Sequence, residues 1–559
     1  CGNDAELWEI STSIEKEGLY WYHFEFFSSY GRSSVMQTDN GVGAFSGTFS
    51  AHKDWQLTVT KKGFVTPEWL KGGIIYQIFP DRFCNSGKKK KSVPDDRKMR
   101  TDWYGEPEWK PDENGKILNN DFFGGDLRGI KQKLPYIKSL GVNCIYLNPI
   151  FESHSNHRYD TADYSKIDSV LGDEKDFKSL CSAAKKQGIH IILDGVFSHT
   201  GDDSIYFNRK GRYKSLGAYN SPESQYYKWY KFTEYPDKYQ SWWGFLTLPE
   251  VIEEVSEYRE FINGEGGIIE KWLTAGADGF RLDVADELPD VFIDELRARL
   301  KKTKPQALLM GEVWEDATTK RSYGNRRRYL LGDQFDSVMN YPFANAVIDF
   351  CRSGKAEAFM DTVMRIVENY PKQCLDVMMN HIGTHDTERA ITKMAGKSCE
   401  YRDREWQSAN SLDEEAYKKG VKLLKCAVAL QYTLPGVPSI YYGDEAGMQG
   451  YKDPFNRGCY PWGKENKELI EFYKTMGKIR SENDVFADGR FYPVSSILGC
   501  VAYRRYSENG DIMVIVNRNE HPITYKLPEF YASATALYGN DTKNGEVDID
   551  GCSFSLLRL

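Results

Sequence analysis

The chain has 559 residues, a length that suggests about three or four domains of roughly 150 residues each. Its 73 basic and 81 acidic residues leave a formal net charge of −8. This argues against a nucleic-acid backbone as the partner, because proteins that bind one usually present a basic face. No apolar run approaches the roughly 20 residues of a membrane-spanning helix, and no signal peptide is visible.

The first 66 residues are predicted to form β structure. The runs GLYWYHFEFF and WQLTVTKK are rich in aromatic and β-branched residues, and turn residues such as Gly, Ser, Asn and Asp separate them. We therefore expect residues 1–66 to form sandwich-like strands ahead of the main domain.

From residue 67 onward, short apolar runs alternate with amphipathic helical segments such as IKQKLPYIKSLG and DFKSLCSAAKKQG. This alternation predicts βαβ units with a parallel sheet. The eight strand candidates are GIIYQIF, VNCIYLNP, IHIILDGVF, GFRLDV, QALLMGEVW, FDSVMNY, VMMNHIGTHD and GVPSIYYGDE. Eight is the number that a closed barrel requires, so an α/β fold, a (β/α)8 TIM barrel, is predicted over residues 67–200 and 255–482.

One insertion interrupts this repeat, and β structure returns at the end of the chain. Residues 201–254 follow the third strand, are rich in Tyr, Trp, Ser and Gly, and lack helix periodicity, so they predict an inserted loop domain, domain B. The runs FYPVSSILGCVAYRRYS and DIMVIVNRN, separated by the turn SENGD, predict a C-terminal antiparallel β-sandwich over residues 483–559.

The 11 cysteines are scattered along the chain and include no CxxC pair. Several lie in apolar runs, such as Cys144 in VNCIYL and Cys426 in LKCAVAL. This pattern favours buried free thiols over a disulfide framework or a zinc site, and it favours a reducing compartment.

Charged and histidine side chains end four of the predicted strands. They are Asp194 and His199 at the third, Arg281 and Asp283 at the fourth, Glu312 at the fifth, and His385 and Asp386 at the seventh. For Arg281 and Asp283, which face the same side of one strand, a structural ion pair and a place in a site are both open. Burying all of these carboxylates for structure alone would be very costly, and barrel strands converge on one mouth. The sequence therefore predicts an active site at that mouth.

Three carboxylates and an arginine at one mouth suit the cleavage of glycosidic bonds. The transition state is an oxocarbenium-like cation, which carboxylates stabilise. A retaining reaction needs one ionised carboxylate as the nucleophile and one protonated carboxyl as the acid, and neighbouring carboxylates raise the pKa of that acid. An arginine beside the nucleophile keeps the nucleophile ionised.

Six motifs occur in one order along the chain: FFGGDLRGI, SNHRYDTADY, GFRLDVADE, GEVWED, GTHDTER and GVPSIYYGDEAGM. With them the chain resembles the α-amylase family, glycoside hydrolase family 13, and within it the group of neopullulanases, cyclomaltodextrinases and maltogenic amylases. The resemblance runs from about Gly18 to the C terminus. It implies a retaining hydrolase of α-1,4-linked glucans, with α-1,6 branches, pullulan or cyclodextrins as further substrates and transfer to acceptor sugars as a second outcome.

The resemblance also implies a role for each matched residue. Asp283 is the nucleophile, Glu312 is the general acid and then the base, and Asp386 binds the distorted sugar and stabilises the transition state. The substrate-binding residues are Arg281, which orients Asp283; His199, His385, Tyr159 and His157 around the cleaved sugar; Asp453 and Arg457 at the next sugar; and Trp314 on the leaving-group side.

Other interpretations of some residues stay open. His157 is also explained as a loop histidine, Trp314 as packing, and Asp194 as a structural carboxylate rather than a catalyst. In domain B, the aromatic side chains of Trp242, Trp243 and Phe245 fit either a subsite wall or ordinary core.

Two loops depart from the family pattern where the family binds calcium. Ser198 stands where an asparagine ligand is usual, and the loop after PDRF reads CNSGKKKK instead of an acidic sequence. Lysines repel a divalent cation, and calcium takes about six to eight oxygen ligands. The remaining candidates for oxygen ligands are Asn85, Asp126, Asp95, Asp96 and Asp102. We therefore expect no metal site and no required cofactor, with calcium the one ion to be tested.

Two further departures leave substrate preference and reaction outcome open. The acceptor-side motif, usually VANE, is VADE here, with Asp286, and domain B ends in LTLPEV. A dedicated α-glucan transglycosylase is the alternative within the class. Outside it, the alternative is a catalytically inactive barrel relative that acts as a binding or interaction subunit. Such relatives have lost catalytic carboxylates, whereas this sequence keeps all three.

The N terminus allows two interpretations. Members of the group usually carry a longer β-sandwich before the barrel, so residues 1–66 are expected to be only its second half. Cys1 is then the start of a fragment of a cytoplasmic protein, and the alternative is a lipidated terminus of a cell-surface lipoprotein. The expected partner is an α-glucan, and a homodimer is an assembly that the resemblance leaves open.

Overall fold

The computed structural model describes residues 9–29, 31–37, 43–46, 54–90 and 92–559, and its central feature is an eight-stranded parallel sheet. In chain order we label its strands β1 (Ile75–Ile78), β2 (Cys144–Leu147), β3 (His190–Gly195), β4 (Gly279–Leu282), β5 (Leu308–Gly311), β6 (Ser337–Val338), β7 (Met379–His381) and β8 (Val437–Tyr441). They pair in the order β6-β5-β4-β3-β2-β1-β8-β7, and a parallel bridge between Met339 and Met379 closes the ring. The predicted (β/α)8 barrel is confirmed.

The barrel strands are apolar on both faces because both faces are buried. Alternate side chains point into the barrel, where one cluster includes Ile75, Cys144, Tyr146, Ile192, Leu308, Met310, Met379 and Val437. The residues between them, such as Ile145 and Leu309, pack outward in a second, larger cluster with the surrounding helices. This alternation explains why the runs are short and nearly continuous in apolar residues.

The helices surround this sheet, and the helix Glu174–Lys186 shows why they form. Asp173 caps its N terminus through a capping box with Asp176, and Lys185 and Lys186 lie in its last turn. Its buried face consists of Phe177, Leu180, Cys181 and Ala184, at helical spacing. The helices are Pro80–Phe83, Leu127–Gln132, Leu134–Ser139, Glu174–Lys186, Ser256–Asn263, Ile268–Ala275, Asp290–Thr303, Tyr341–Ser353, Ala356–Asn369, Lys372–Leu375, Ala390–Ala395, Arg404–Ala409, Glu414–Thr433, Lys467–Ser481 and Val485–Asp488.

The segment between β3 and the helix at Ser256 contains only short elements. These are the strands Phe232–Glu234 and Lys238–Tyr239 and the 3-10 turns Tyr227–Trp229 and Trp242–Gly244. Phe207 lies at the centre of its aromatic packing, with the rings of Tyr230 and Tyr239 within 5 Å. An antiparallel bridge between His199 and Glu250 joins this segment to the chain just after β3, so domain B lies beside the mouth of the barrel.

β structure lies at both ends of the chain. At the C-terminal end, an antiparallel sheet of Arg490–Ile497, Cys500–Ser507, Gly510–Asn517, Ser553–Arg558 and Thr535–Tyr538 packs on the pair Ile523–Lys526 and Glu546–Ile549. At the N-terminal end, Gly18–Tyr22 pairs with Trp55–Val59, and Phe24–Ser28, Gly31–Gln37 and Gly43–Ser46 form a three-stranded sheet. Short pairs elsewhere are Lys98–Met99 with Asp121–Phe122, Phe151–Ser153 with Thr161–Ile167, and Arg321–Ser322 with Asn325–Arg326.

The cysteines agree with a further prediction from the sequence. All ten cysteines in the described ranges are buried and unpaired, as the apolar runs around them predict. Within the same ranges, the structure contains no helix of the length and apolarity that a bilayer crossing demands. Cys1 lies outside the described residues, so the structure does not test the two interpretations of the N terminus.

Candidate active site

Arg281, in β4, lies at the centre of the barrel mouth and is fully buried. Its Nη1 is 2.7 Å from Oδ1 of Asp194 and 2.9 Å from Oδ1 of Asp283, and its Nη2 is 2.8 Å from Oε2 of Glu312. One guanidinium thus holds three carboxylates, of which Asp194 lies in β3 and Asp283 and Glu312 directly follow β4 and β5. Arg281 and Asp283 do form an ion pair, and this pair lies inside the predicted active site, so both interpretations of the two residues hold.

The backbone after β4 adopts a rare conformation that brings Glu312 close. Val284 has a φ of 38° and a ψ of 56°, in the left-handed region, which is unusual for a β-branched residue and is found at functional sites. Its N–H donates to Oε2 of Glu312 at 2.8 Å, and the indole N–H of Trp314 donates to Oε1 at 3.1 Å. By contrast, Oδ2 of Asp283 accepts no hydrogen bond from any residue in the described part of the chain. Asp283 therefore keeps one oxygen available to a reacting atom.

Tyr159, His385 and Asp386 form the second part of the site. The rings of Tyr159 and His385 stack with centroids 5.2 Å apart and planes 4° apart, and the phenol oxygen contacts Nε2 of His385. The same Nε2 is 3.1 Å from Oδ2 of Asp386, whose side chain is 32% exposed at the mouth. The phenol also donates to Oδ2 of Asp194 at 2.8 Å, which joins this part of the site to Arg281.

The remaining predicted residues surround Tyr159 and Asp386. His199 contacts the backbone carbonyl of Tyr159 at 3.1 Å, and the ring of His157 lies 6.0 Å from the ring of Tyr159. Arg457 pairs with Asp453 at 2.9 Å and lies 3.6 Å from Asp386. Contacts therefore connect all of the predicted residues into one site: Asp283, Glu312, Asp386, Arg281, His199, His385, Tyr159, His157, Asp453, Arg457 and Trp314.

The carboxyls at the mouth have perturbed pKa values. Burial raises the pKa of Asp283 well above its ordinary value; Arg281 opposes this shift and Glu312 adds to it. Partial burial, with Glu312, raises the pKa of Asp386 to about 7 against the opposing effect of Arg457 and Arg281. The sequence prediction that an arginine keeps the nucleophile ionised is right in the direction of the arginine's effect, but burial has the larger effect and raises the pKa of Asp283.

The histidines of the site are held neutral. Burial lowers the pKa of His199 to about 4, and burial together with the charges of Arg457 and Arg281 lowers the pKa of His385 well below its ordinary value. Neutral imidazoles offer one donor and one acceptor each, which suits hydrogen bonding to sugar hydroxyls.

Four residues of the site did not emerge from the sequence. Tyr146 donates to Asp194 at 2.7 Å, Gln77 and Asn148 connect to His385 and Tyr159, and Tyr341 stacks under Trp314 with centroids 4.0 Å apart. Tyr146, Gln77 and Asn148 lie at or next to the carboxyl end of a barrel strand, and Tyr341 begins the helix that follows β6. A position at such a strand end was a usable signal. These residues were missed because neutral polar and aromatic residues in such strands look like core.

The structure separates the aromatic side chains that the sequence left open into packed and exposed ones. Trp314 packs one face on Tyr341, yet it is 47% exposed and bonds Glu312, so it is both packed and part of the mouth. Trp242 lies 5.3 Å from the ring of His199. Trp243 and Phe245 are 79% and 58% exposed, so the interpretation of these two as core is wrong.

The two loops where the family binds calcium do not offer a calcium ligand set. Oδ2 of Asp126 accepts from Lys90 at 2.5 Å and from Ser86 at 2.7 Å, and its Oδ1 caps a helix. The side chain of Arg212 bridges Asp96, another candidate ligand, and Asp203, and the hydroxyl of Ser198 contacts Nδ1 of His199 at 2.9 Å. Because side-chain cations already neutralise these carboxylates, the arrangement does not fit a divalent ion, and no step of the chemistry below is assigned to one.

A closed β/α barrel whose carboxyl-end mouth gathers carboxylates, histidines and an arginine belongs to the class of barrel enzymes. Residues 77–484 match the family description "Alpha amylase, catalytic domain". The chain belongs to the α-amylase family.

Relatives within the family are similar over most of this chain. The cyclomaltodextrinase of Thermoanaerobacter pseudethanolicus is 35% identical over 92% of this chain and 82% of its own length. The amylopullulanase of Thermoanaerobacter thermohydrosulfuricus is 42% identical over 87% of this chain, but the chain covers only 35% of that protein. Among solved structures, the type III pullulan hydrolase from Thermococcus kodakarensis matches with a TM-score of 0.75 and 27% identity, covering 94% of this chain and 88% of its own. The chain thus spans well under half the length of the amylopullulanases that it matches.

Proposed function

We propose that the protein is a retaining glycoside hydrolase that cleaves α-1,4-glucosidic bonds of maltodextrins and related glucans, and α-1,6 bonds as well. The observation that carries this proposal is the pair of carboxylates, Asp283 and Glu312, held by one guanidinium at the mouth of the barrel. The substrate class is supported by relatives named cyclomaltodextrinase, amylopullulanase and pullulan hydrolase.

The first displacement starts at Asp283. Its free oxygen, Oδ2, attacks the anomeric carbon while the carboxyl of Glu312 gives its proton to the glycosidic oxygen, so the bond to the leaving sugar breaks and a covalent glycosyl-enzyme forms. Glu312 suits the proton transfer because Trp314, half exposed, holds one of its oxygens on the open side of the mouth. In the second displacement, Glu312 takes a proton from water, which attacks the same carbon and frees Asp283.

The other residues bind and orient the sugar in this proposal. Asp386, with Arg457 beside it, accepts hydrogen bonds from the hydroxyls of the sugar and faces the positive charge of the transition state. Tyr159 offers a ring for stacking, and the neutral imidazoles of His199 and His385 line the same space.

The test is the product formed from maltoheptaose, pullulan and cyclodextrin. Proton NMR of the earliest product should show the α-anomer, because two displacements restore configuration. An initial β-anomer, or no cleavage of any of the three, refutes the proposal. A product mixture dominated by longer glucans, with little released reducing sugar, identifies a dedicated transglycosylase instead.

A further inference from the structure

Gln77 contacts His385 from below the mouth. Its fully buried side chain extends from β1, and its Nε2 is 2.9 Å from Nδ1 of His385 and 3.1 Å from Oδ1 of Asn148. Asn148 directly follows β2, and its Nδ2 donates to the phenol oxygen of Tyr159 at 2.9 Å. Two neutral amides thus connect β1 and β2 to two residues that we propose to contact the cleaved sugar.

Asp194, the charged end of this hydrogen-bond network, sets which group donates and which accepts in each bond. Oδ1 of Asp194 pairs with Arg281, and Oδ2 receives the phenol groups of Tyr159 at 2.8 Å and Tyr146 at 2.7 Å. A carboxylate surrounded by a guanidinium and two phenols acts only as an acceptor. Tyr159 therefore donates its single proton to Asp194, and its oxygen must accept from its other neighbours.

The direction of each further hydrogen bond follows from this one. Asn148 turns its NH2 group to Tyr159 and its carbonyl oxygen to Gln77. Gln77 must then present its own NH2 group, with one hydrogen for Asn148 and the other for Nδ1 of His385. Nδ1 is an acceptor in this arrangement, so the proton of the neutral imidazole lies on Nε2. The surroundings of Nε2 agree, because its hydrogen-bond partner is the phenol oxygen of Tyr159, which accepts.

We propose that Gln77 is a positioning residue that fixes His385 in the Nε2–H tautomer, with the polarity transmitted from Asp194 through Tyr159 and Asn148. The Nε2–H then donates to the phenol oxygen of Tyr159, with Oδ2 of Asp386 3.1 Å away, and can donate to a sugar hydroxyl that enters the mouth. The opposite tautomer would turn a lone pair towards the carboxylate of Asp386. The role in catalysis rests on the proposed function, whereas the tautomer itself does not.

The tautomer can be measured directly by ¹⁵N NMR of protein labelled at histidine. The chain has 9 histidines, and the signal that disappears in His385→Gln identifies His385. In the wild type we expect an unprotonated Nδ1 and a protonated Nε2. Gln77→Glu places an acceptor against Nδ1, so we expect a protonated Nδ1 and a ring that titrates at higher pH; Gln77→Leu should give a mixture of tautomers.

A matched control is Gln431→Leu. Gln431 is an equally buried glutamine of the same barrel, and its Nε2 donates to the backbone carbonyls of Asn380 and Ser439. Its loss should lower thermal stability without changing the His385 signals. Both Gln77 variants should lower kcat for glucan hydrolysis about tenfold, the scale of one lost hydrogen bond, with a smaller change in KM, and Gln77→Glu should add an inflection to the pH profile.

The outcomes separate this inference from the proposed function. The inference is overturned if His385 of the wild type carries its proton on Nδ1, or if the Gln77 variants keep the wild-type tautomer, even when glucans are cleaved. If a variant does not fold, the measurement on the wild type still decides the inference. A wild type with the Nε2–H tautomer that cleaves no glucan supports the tautomer and contradicts only the proposed function.

Discussion

Replacing Lys90 by methionine tests how the loop after β1 holds a buried carboxylate. Lys90 Nζ lies 2.5 Å from Oδ2 of Asp126, and the two side chains are 14% and 4% exposed. Removing one partner of a buried ion pair typically costs about 3–5 kcal/mol. Here Asp126 keeps its hydrogen bond from Ser86 and caps the helix Leu127–Gln132 through the N–H of Gly129, and a carboxylate at a helix N terminus is favourable by about 0.3–1 kcal/mol. We therefore expect Lys90→Met to lower the free energy of unfolding by about 2–3 kcal/mol.

Melting curves of the wild type, Lys90→Met and Lys89→Met, each with EDTA and then with added calcium, measure this effect. Lys89 belongs to the same lysine run but is exposed, so its variant should melt like the wild type. We expect the wild-type midpoint to be insensitive to EDTA, since a bound ion linked to folding would raise the midpoint with its concentration. The reasoning fails if Lys90→Met melts no lower than Lys89→Met. It also fails if EDTA lowers the wild-type midpoint by several degrees and calcium restores it.

Three further predictions concern the active site. Asp283→Asn and Glu312→Gln should each lower kcat/KM on maltodextrins by roughly 10²–10⁴-fold or more while the melting midpoint shows an intact fold, and near-wild-type rates in either variant contradict the assignment. The acid limb of the kcat/KM profile should lie above the ordinary pKa of an aspartic acid, because the nucleophile must be ionised and burial raises the pKa of Asp283; a limb at or below the ordinary value contradicts this. Trp243→Ala should weaken the binding of long maltodextrins by about 1 kcal/mol, which raises their KM roughly fivefold and leaves kcat unchanged. An equal effect on maltose and maltoheptaose would show that Trp243 contacts no extended chain.

The barrel was predictable from sequence because its strands are buried on both faces and leave short, nearly continuous apolar runs. The least regular strand shows the limit of that signal. FDSVMNY was predicted as a full strand, but only Ser337–Val338 forms one. The side chain of Asp336, just before it, accepts from the backbone N–H of Leu309 at 2.9 Å and from Lys301 at 2.8 Å. The buried carboxylate of Asp336 thus replaces part of the backbone hydrogen bonding between the strands, and the hydrophobic periodicity of the sequence does not reveal such a replacement.

The candidate site was predictable where charge stands out against an apolar run, as at Arg281 and Asp283. Neutral members such as Gln77 and Tyr146 carry no such contrast, because a polar or aromatic residue inside a strand is equally consistent with core. The net pKa direction of Asp283 was also beyond the sequence. It depends first on the burial of the carboxyl and then on its distances to Arg281 and to the neighbouring carboxylates, and only the folded structure decides these.

The same balance of burial and charge explains how one cluster of carboxyls can bind a proton and also favour a cation. The carboxyls of Asp194, Asp283, Glu312 and Asp386 share the guanidinium groups of Arg281 and Arg457, and Arg457 also pairs with Asp453. Burial first, and then the charge of neighbouring carboxylates, raises the pKa of Asp283 and raises that of Asp386 to about 7, so Asp386 binds a proton near neutral pH. In the proposed reaction Glu312 gives its proton to the glycosidic oxygen as positive charge develops on the sugar. That positive charge faces the surplus of carboxylates at the mouth, so the surplus favours the transition state over the bound ground state.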